Sequence, residues 1–318
     1  AILLVGFAIL GPPVAGASTA LLLILPALFA RSLSELIRAM FTGVEQAGTH
    51  MKIRGVMRAV EVVAGIALLS LGMGIWAVLV LHAVTWIIEA YWCLKAFQST
   101  LGLSEASREK IVKFLRKGFP LGIAGLLAGW MTAAPLLLYA PLAPDGTTFG
   151  AFSLAMQLAM ILVGTILGFF GAALPIVSRT IAAKDLRAQS YGPYGAALSV
   201  GLCILAALAA LVIGAPLVAW LFGPDFALTG SLLAPVALLT GVIILPTGYG
   251  QSNLVRGIIW PSILAGALGS VVLYFSFAPL VDVYGPTGAI IAAGLGWLVR
   301  AFVIIGVTLT HPDVKSSA

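Results

Sequence analysis

Residues 196–213 read AALSVGLCILAALAALVI and contain no ionised side chain. A membrane-spanning α-helix needs about 20 consecutive, mostly apolar residues. A membrane-spanning β-strand would instead show about ten residues with strict alternation of apolar and polar side chains, and neither this run nor residues 60–75 alternates. The run therefore predicts a transmembrane helix rather than a strand of a barrel.

Similar runs recur along the whole chain. Of its 318 residues, 61% are hydrophobic and 9% are charged, whereas a soluble domain has about 25% charged residues. The runs predict a partial span at 1–10 and spans near 14–42, 55–75, 77–97, 118–140, 147–175, 190–222, 230–250, 258–280 and 286–310. The sequence thus predicts an all-α, polytopic transmembrane bundle.

The distribution of lysine and arginine tests this set of spans, because cytoplasmic loops are enriched in both. Loops near 11–13, 71–76, 140–150, 222–229 and 280–285 contain neither residue. The opposite helix ends carry fourteen of the seventeen basic residues, namely Lys52, Arg54, Arg58, Lys95, Arg108, Lys110, Lys113, Arg116, Lys117, Arg179, Lys184, Arg187, Arg256 and Lys315. This parity predicts a cytoplasmic C-terminus and accounts for the net charge of +6, so no nucleic-acid partner is expected.

The longest polar segment predicts the division into domains. Residues 98–117 would form a cytoplasmic linker between a first lobe, 1–97, and a six-helix second lobe, 118–310, with a cytoplasmic tail at 311–318. From Arg108 onward the linker has the pattern of an amphipathic helix. The chain starts at Ala1 with only half a span, and we expect its first lobe to be incomplete at the N-terminal side.

Three arginines fall inside predicted spans, where a central charge costs at least about 2.5 to 3.5 kcal/mol without a partner or aqueous cavity. Arg31, Glu35 and Arg38 lie on one face of the 14–42 helix. Arg38 is near the helix end, where it can reach the interface, whereas Arg31 lies two turns deeper. Two arginines against one glutamate leave a positive face on this helix, so Arg31 and Arg38 are candidate ligands of an anionic head group. Arg300, midway along the last predicted span, is a third candidate.

Carboxylates in neighbouring spans offer alternative roles for these charges. Arg300 could pair with Glu61 or Glu89, each of which lies within its own helix. Glu35, Glu61 and Glu89 are accordingly candidate ion sites or salt-bridge partners, and a proton or cation site at Glu89 stays open. For His82, the sequence favours an interfacial position over a titrating switch.

Signatures of enzymes are absent from the sequence. There is no HExxH, GxSxG or Walker A motif, and Cys93 and Cys203 have no cysteine or histidine companions. We therefore expect a protein that is not an enzyme and holds no catalytic residue, metal or cofactor. Transport would draw on an ion gradient, a substrate gradient or a separate protein.

Three passages resemble the polysaccharide-biosynthesis flippases of the multidrug/oligosaccharidyl-lipid/polysaccharide exporter superfamily. They are residues 113–121 (KFLRKGFPL), residues 149–157 (FGAFSLAMQ) with 173–178 (ALPIVS), and residues 220–226 (WLFGPDF). Their order and spacing agree with that family over about residues 14–310. The resemblance implies that the first lobe lacks the family's first two helices, and it transfers no individual substrate residue.

The resemblance implies a flippase that works by alternating access in a bacterial inner membrane. Its cargo would be a lipid-linked oligosaccharide, such as a polysaccharide, O-antigen or lipopolysaccharide precursor, with H⁺ or Na⁺ coupling and polysaccharide-assembly proteins as further partners. Alternatives are a cation-coupled multidrug exporter or a peptidoglycan-precursor flippase of the same superfamily. A membrane-embedded glycosyltransferase or polymerase would need a large outer loop, and a non-transporting scaffold also remains open.

Overall fold

The chain folds as a set of long α-helices that divides into two units. The computed structural model describes residues 17–43, 46–101, 108–183 and 187–310, and within these ranges it contains no β-strand. The units are residues Ala1–Ala106 and Ser107–Ala318. Seven helical segments of the described ranges are long and apolar enough to cross a membrane, one in the first unit and six in the second. This is the architecture of a multi-pass membrane protein, as the sequence predicts.

Within the described residues, the first unit contains three helices, α1 (Ala17–Gly43), α2 (Ala47–Ser70) and α3 (Gly74–Leu101). Helix α3 packs against both α1 and α2. Ala27, Ala83 and Trp86 form one small apolar cluster between α1 and α3. A second cluster joins Ile37 and Phe41 of α1 to Cys93 of α3. Apolar contacts therefore join α1 and α3 at two positions along their length.

The part of the second unit that the structure describes contains seven α-helices. They are α4 (Arg108–Tyr139), α5 (Gly146–Ala182), α6 (Arg187–Phe222), α7 (Ala227–Ile244), α8 (Thr247–Val255), α9 (Trp260–Tyr284) and α10 (Pro286–Thr310). Helix α7 contacts α5, α6 and α10. In the apolar stretch of the span that contains α7 and α8, 61% of the residues are buried, a larger share than in the other six spans. This span is therefore the centre of the unit.

Glycines allow two helix pairs of the second unit to approach closely. A Cβ on Gly269 of α9 would lie 2.6 Å from the carbonyl oxygen of Gly296 of α10, and a Cβ on Gly296 would lie 2.7 Å from that of Gly269. Gly230 of α7 meets the backbone of Ala215 of α6 in the same way, at 2.3 Å. In lipid, helices associate mainly through van der Waals packing rather than the hydrophobic effect, and small residues allow the close backbone contact on which that packing depends.

Several helix boundaries differ from the predicted spans. Helix α2 begins at Ala47 rather than near residue 55, and α5 continues to Ala182 rather than ending near 175. Helix α4 begins at Arg108, where the sequence predicts an amphipathic helix at the end of the linker. The predicted span 230–250 breaks at Leu245 and Pro246 into α7 and α8. Proline lacks the N–H that an uninterrupted helix needs. The partial span 1–10 and the tail 311–318 lie outside the described residues.

The sequence predicts interruptions of spans at four prolines, Pro26, Pro135, Pro235 and Pro246, and three of them stay inside continuous helices. Pro26 lies within α1, Pro135 within α4 and Pro235 within α7. Each removes one backbone hydrogen bond, a loss that neighbouring helices and hydroxyl side chains can compensate in a membrane bundle. Only Pro246 of the four predicted interruptions coincides with a helix end.

Candidate functional site

The three helices of the first unit bring their polar side chains together into one cluster, which we call the charged cluster. The spacing within each helix places these residues on one face: apart from the adjacent Ser34 and Glu35, neighbours are three or four positions apart, which corresponds to about one helical turn. The charged cluster contains Arg31, Ser34, Glu35 and Arg38 of α1, His50, Arg54, Arg58 and Glu61 of α2, and His82, Trp86 and Glu89 of α3.

Glu35 binds two arginines. Arg38 Nε donates to Glu35 Oε2 at 2.5 Å, and Arg54 Nη1 donates to Glu35 Oε1 at 2.8 Å. Glu35 thereby links α1 to α2, and both of its oxygens are occupied. Arg38, a candidate ligand in the sequence, is held by this pair, although its side chain is 47% exposed.

Arg58 binds the other two carboxylates of the charged cluster. Its Nη1 contacts Glu61 Oε2, and its Nη2 donates to Glu89 Oε2 at 2.8 Å. Glu61 also contacts Nδ1 of His82. Because Glu89 is 6% exposed, Arg58 neutralises a carboxylate that has little access to solvent, and it joins α2 to α3.

A hydroxyl and a second histidine complete the buried end of the charged cluster. Ser34 Oγ donates to Glu89 Oε1 at 2.9 Å and lies 3.2 Å from Nε2 of His50. His50 is fully buried, and its Nδ1 has no hydrogen-bond partner. Ser34 therefore connects all three helices, since His50 is on α2 and Glu89 is on α3.

Arg31 differs from the other arginines of the charged cluster. Its guanidinium carbon lies 4.5 Å from the centre of the Trp86 ring, and the side chain is exposed. Within the described ranges no carboxylate lies within ion-pair distance of Arg31. Arg58 lies 5.9 Å from the same ring, so Trp86 contacts one arginine that is paired and one that is available.

A small cavity of about 80 Å³ opens among these side chains. Its lining comprises Arg31, Glu35, Arg54, Arg58, His82, Trp86 and Glu89. Four arginines stand against three glutamates in the whole charged cluster, and every glutamate already binds an arginine. The arrangement therefore favours an anion beside Arg31 over a cation beside a glutamate.

Arg300 lies in the second unit, in the middle of α10, and its guanidinium carbon is 5.3 Å from the ring of Trp297. The sequence left Glu61 or Glu89 open as its partner. Both of those carboxylates bind Arg58 within their own unit. Among the described residues of the second unit, no acidic group pairs with Arg300.

Several members of the charged cluster were not identified from the sequence. Arg54 and Arg58 were assigned to a basic loop, but they lie two and three turns inside α2. His82, for which the sequence favours an interfacial position, contacts Glu61, and its ring lies 4.2 Å from that of Trp86. His50 gave no signal of its own. The spacing of Arg54, Arg58 and Glu61 was the signal that could have revealed the second polar face.

The donor set of the charged cluster also limits its chemistry. No three His, Cys, Asp or Glu side chains come together as metal ligands in the ranges that the structure describes. Cys93 is fully buried. What the cluster presents at its surface is a guanidinium on an aromatic ring, a group that binds anions by charge and by paired hydrogen bonds.

Solved structures share the fold of this chain. It aligns over 100% of its length with 77% of an outward-facing multidrug resistance MATE family transporter of the MOP superfamily, with a TM-score of 0.69 and 18% identity. It also aligns over 99% of its length with 76% of the Vibrio cholerae MATE transporter VcmN in the bent form, with a TM-score of 0.66 and 13% identity. No protein-family model and no curated protein matches the sequence. The chain therefore has the fold of the MATE transporters of the MOP superfamily.

Proposed function

We propose that this protein is a membrane exporter that moves an amphiphile with an anionic head group across the bilayer by alternating access. The cargo we favour is a lipid-linked oligosaccharide, a precursor of a surface polysaccharide, carried from the inner to the outer leaflet. The observation that supports this cargo most directly is Arg31, which is exposed, lies on Trp86 and has no carboxylate partner among the described residues.

The electrostatics of the charged cluster argue for an anionic cargo. Glu35 and Glu89 are each held by arginine at 2.8 Å, and Glu61 also contacts Arg58. A cation would have to displace one of these pairs, which would leave a poorly solvated guanidinium without its partner. A phosphate or pyrophosphate needs only to approach Arg31, whose planar guanidinium matches its oxygens. Arg38 and Arg300 are further candidate ligands in this proposal.

The fold supports transport as the kind of activity. The two similar structures are transporters, described in an outward-facing and a bent form respectively, and we take alternating access from that likeness. We place the protein in a bacterial cytoplasmic membrane because its sequence resembles the polysaccharide-biosynthesis flippases, and the lysine and arginine parity of the loops supports a cytoplasmic C-terminus. Membrane lipids would be constant neighbours of the apolar helices.

A cation-coupled multidrug exporter is the second candidate. The description of one similar structure as a multidrug resistance transporter favours it. Glu35, Glu61 and Glu89 also keep it open, because carboxylates within predicted spans are candidate cation sites. A peptidoglycan-precursor flippase would share the anionic head group of the favoured cargo and would differ in the sugar that is recognised.

Reconstitution into liposomes separates these candidates. The protein is supplied with a fluorescent polyprenyl-pyrophosphate-linked oligosaccharide, and the fraction that reaches the outer leaflet is measured by quenching with an impermeant reagent. A parallel set of vesicles receives a cationic dye with an imposed pH or Na⁺ gradient. Exchange of the glycan without dye efflux supports the flippase, and gradient-driven dye efflux without glycan exchange overturns it.

Two variants connect the assay to the proposed ligand. Arg31→Ala is expected to reduce glycan exchange by at least about tenfold, since a charge-assisted pair contributes roughly 1.5–3 kcal/mol. Lys95→Ala is the matched control, because Lys95 is an exposed cation of the same unit that lies 5.6 Å from the ring of Tyr91. Equal exchange rates for the two variants would contradict the role of Arg31.

A further inference from the structure

The surroundings of Arg300 define a second, separate place for an anion. The side chain projects from α10 towards α9, where Gly266 makes room for it: a Cβ at Gly266 would lie 3.1 Å from Nη1 of Arg300. The same Cβ would lie 2.8 Å from Leu127 of α4. The guanidinium thus occupies space that any larger residue at position 266 would fill.

Arg300 is incompletely satisfied at this place. Its Nη1 is buried and has no hydrogen-bond partner, and its contact with Trp297 is to the ring. An ionised group held away from water is costly unless it is paired and hydrogen-bonded. Because arginine stays protonated in proteins, the cost cannot be relieved by loss of the proton. A bound anion would relieve it.

A cavity of about 220 Å³ adjoins the guanidinium. Besides Arg300, its lining includes Leu121 and Gly125 of α4, Leu254 of α8, and Ile259 and Ser262 at the beginning of α9. The volume is below the roughly 300–1,000 Å³ of sites for drug-sized ligands and well above the roughly 30 Å³ of one water molecule. It therefore suits a group of a few heavy atoms.

Besides Arg300, two groups of the cavity can contribute to binding an anion. Ser262 contributes a hydroxyl, and the first turn of α9 contributes the positive end of a helix dipole. The remaining walls are aliphatic or glycine. Leu121 and Leu254 are 42% and 40% exposed, which gives a small ligand access from the surface of the unit. No acidic residue lines this cavity.

We propose that the second unit binds a phosphate-type oxyanion in this cavity, with Arg300 as its principal ligand and Ser262 as a second donor. The guanidinium would donate two parallel hydrogen bonds to the oxyanion. The source of the group is either free inorganic phosphate or the phosphate of a lipid head group. The proposed function already names Arg300 as a candidate ligand of an anion, and the present inference rests on it. Its test measures binding and requires no transport.

Binding is measured as thermal stabilisation of the purified protein in detergent. Inorganic phosphate at several times its dissociation constant is expected to raise Tm by roughly 2–4 °C over chloride at equal ionic strength. A second set of samples contains micelles with phosphatidic acid or, for comparison, phosphatidylcholine. A rise with inorganic phosphate assigns the free ion, whereas a rise only with phosphatidic acid assigns the lipid; no rise with either overturns the proposal.

In an Arg31→Met background, which removes the other proposed anion site, Arg300→Met is expected to abolish this response without lowering Tm in chloride, because it removes a guanidinium whose buried Nη1 has no partner but keeps an unbranched side chain. Arg256→Met is the matched control, since Nη1 of Arg256 is also buried without a partner but the residue does not line the cavity. Arg31→Met must also keep the response, which separates failure of this site from failure of the proposed cargo site. A full response in Arg31→Met/Arg300→Met would refute the assignment.

Two further measurements cover a variant that cannot be purified. Arg300→Lys keeps the charge but loses the paired donors, so its phosphate response should be weaker than that of the wild type; an unchanged response contradicts the proposal. The wild-type protein is also crystallised with selenate, a tetrahedral oxyanion that scatters anomalously. An anomalous peak at hydrogen-bond distance from Arg300 supports the site, and a cavity filled only by water overturns it.

Discussion

Arg31 and Trp86 form a contact between α1 and α3 that involves no carboxylate, with the guanidinium carbon 4.5 Å from the centre of the ring. Trp86 is 8% exposed and belongs to the apolar cluster with Ala27 and Ala83. The Trp86 ring is thus fixed by packing, while the Arg31 guanidinium remains exposed. Such an arrangement orients a charge without neutralising it.

Trp86→Phe should reduce glycan exchange by weakening the orientation of Arg31. A cation–π contact on tryptophan contributes about 0.5–2 kcal/mol and phenylalanine retains part of it, so we expect a decrease of roughly two- to fivefold. The measurement is the liposome exchange assay. The double variant Arg31→Ala/Trp86→Phe should be no slower than Arg31→Ala alone, because the ring acts through the arginine. A further decrease in the double variant would show that Trp86 has an independent role.

Arg58→Met should destabilise the first unit strongly. The substitution leaves Glu89, which is 6% exposed, without its cationic partner, and breaking one side of a buried ion pair costs about 3–5 kcal/mol. Thermal unfolding in detergent, followed by tryptophan fluorescence, measures the loss.

Arg58→Met/Glu89→Met is the informative control for that variant. It replaces the pair between α2 and α3 by apolar side chains, while Glu61 keeps its contact with His82. Such replacements are often close to neutral, so the double variant should recover most of the stability. A double variant as unstable as Arg58→Met would indicate that the ion pair itself, rather than an unpaired carboxylate, determines the stability.

Gly296→Ala should disrupt the packing of α9 on α10. The added Cβ would lie 2.7 Å from the carbonyl oxygen of Gly269 and 2.9 Å from Cβ of Leu273, and overpacking of this kind costs about 1–3 kcal/mol. Gly294→Ala in the same helix is the matched control, because no atom lies within 4 Å of its Cβ position. Thermal unfolding should show a lower Tm for the first variant and an unchanged or slightly higher Tm for the second.

The hydrogen bonds of Asp145 should make the stability of the protein decrease at acidic pH. Asp145 caps α5: its Oδ1 accepts from the backbone N–H of Thr148 at 2.6 Å, and its Oδ2 accepts from the Thr148 hydroxyl at 3.1 Å. These hydrogen bonds lower the pKa of Asp145 below its ordinary value. A lowered folded-state pKa means that the stabilisation is present above the unfolded-state pKa and is lost as the pH falls through the folded-state pKa.

Asp145→Asn tests this dependence, because asparagine also caps helices but does not titrate. The wild type should have the higher Tm at pH 7, and the difference should shrink as the pH falls below about 4. Thermal unfolding of both proteins between about pH 3 and pH 7, a range that includes the ordinary aspartate pKa, measures it. A difference that stays constant with pH would contradict the role of the carboxylate.

Hydrophobic runs and loop charges were sufficient to predict the helices but not all of their ends. Helix α10 follows the predicted span closely because apolar residues continue from Pro286 to Thr310. Helix α4 starts ten residues before its predicted span, at Arg108. Hydropathy marks the part of a helix that lies in lipid, and a helix can continue beyond it into the interface.

The charged cluster shows a different limit of the sequence. The Arg31, Glu35 and Arg38 face follows from helical spacing alone. That Glu35 would bind Arg54 of the next helix, and that Arg58 would bind Glu89, depends on how each helix is rotated against its neighbour. A count of basic residues also does not distinguish a side chain among lipid head groups from one at a helix–helix contact. For this reason the sequence places Arg54 and Arg58 at a basic helix end rather than in the charged cluster.

The pairing of Arg58 with Glu89 has a consequence for biogenesis. Before α3 is in place, α2 would carry Arg54 and Arg58 with only part of their carboxylate partners, and each charge would oppose entry into the bilayer by about 2.5–3.5 kcal/mol on insertion scales. Ser34 adds the same dependence between α1 and α3 through its hydrogen bond to Glu89. The three helices should therefore leave the translocon as one assembled group rather than one at a time.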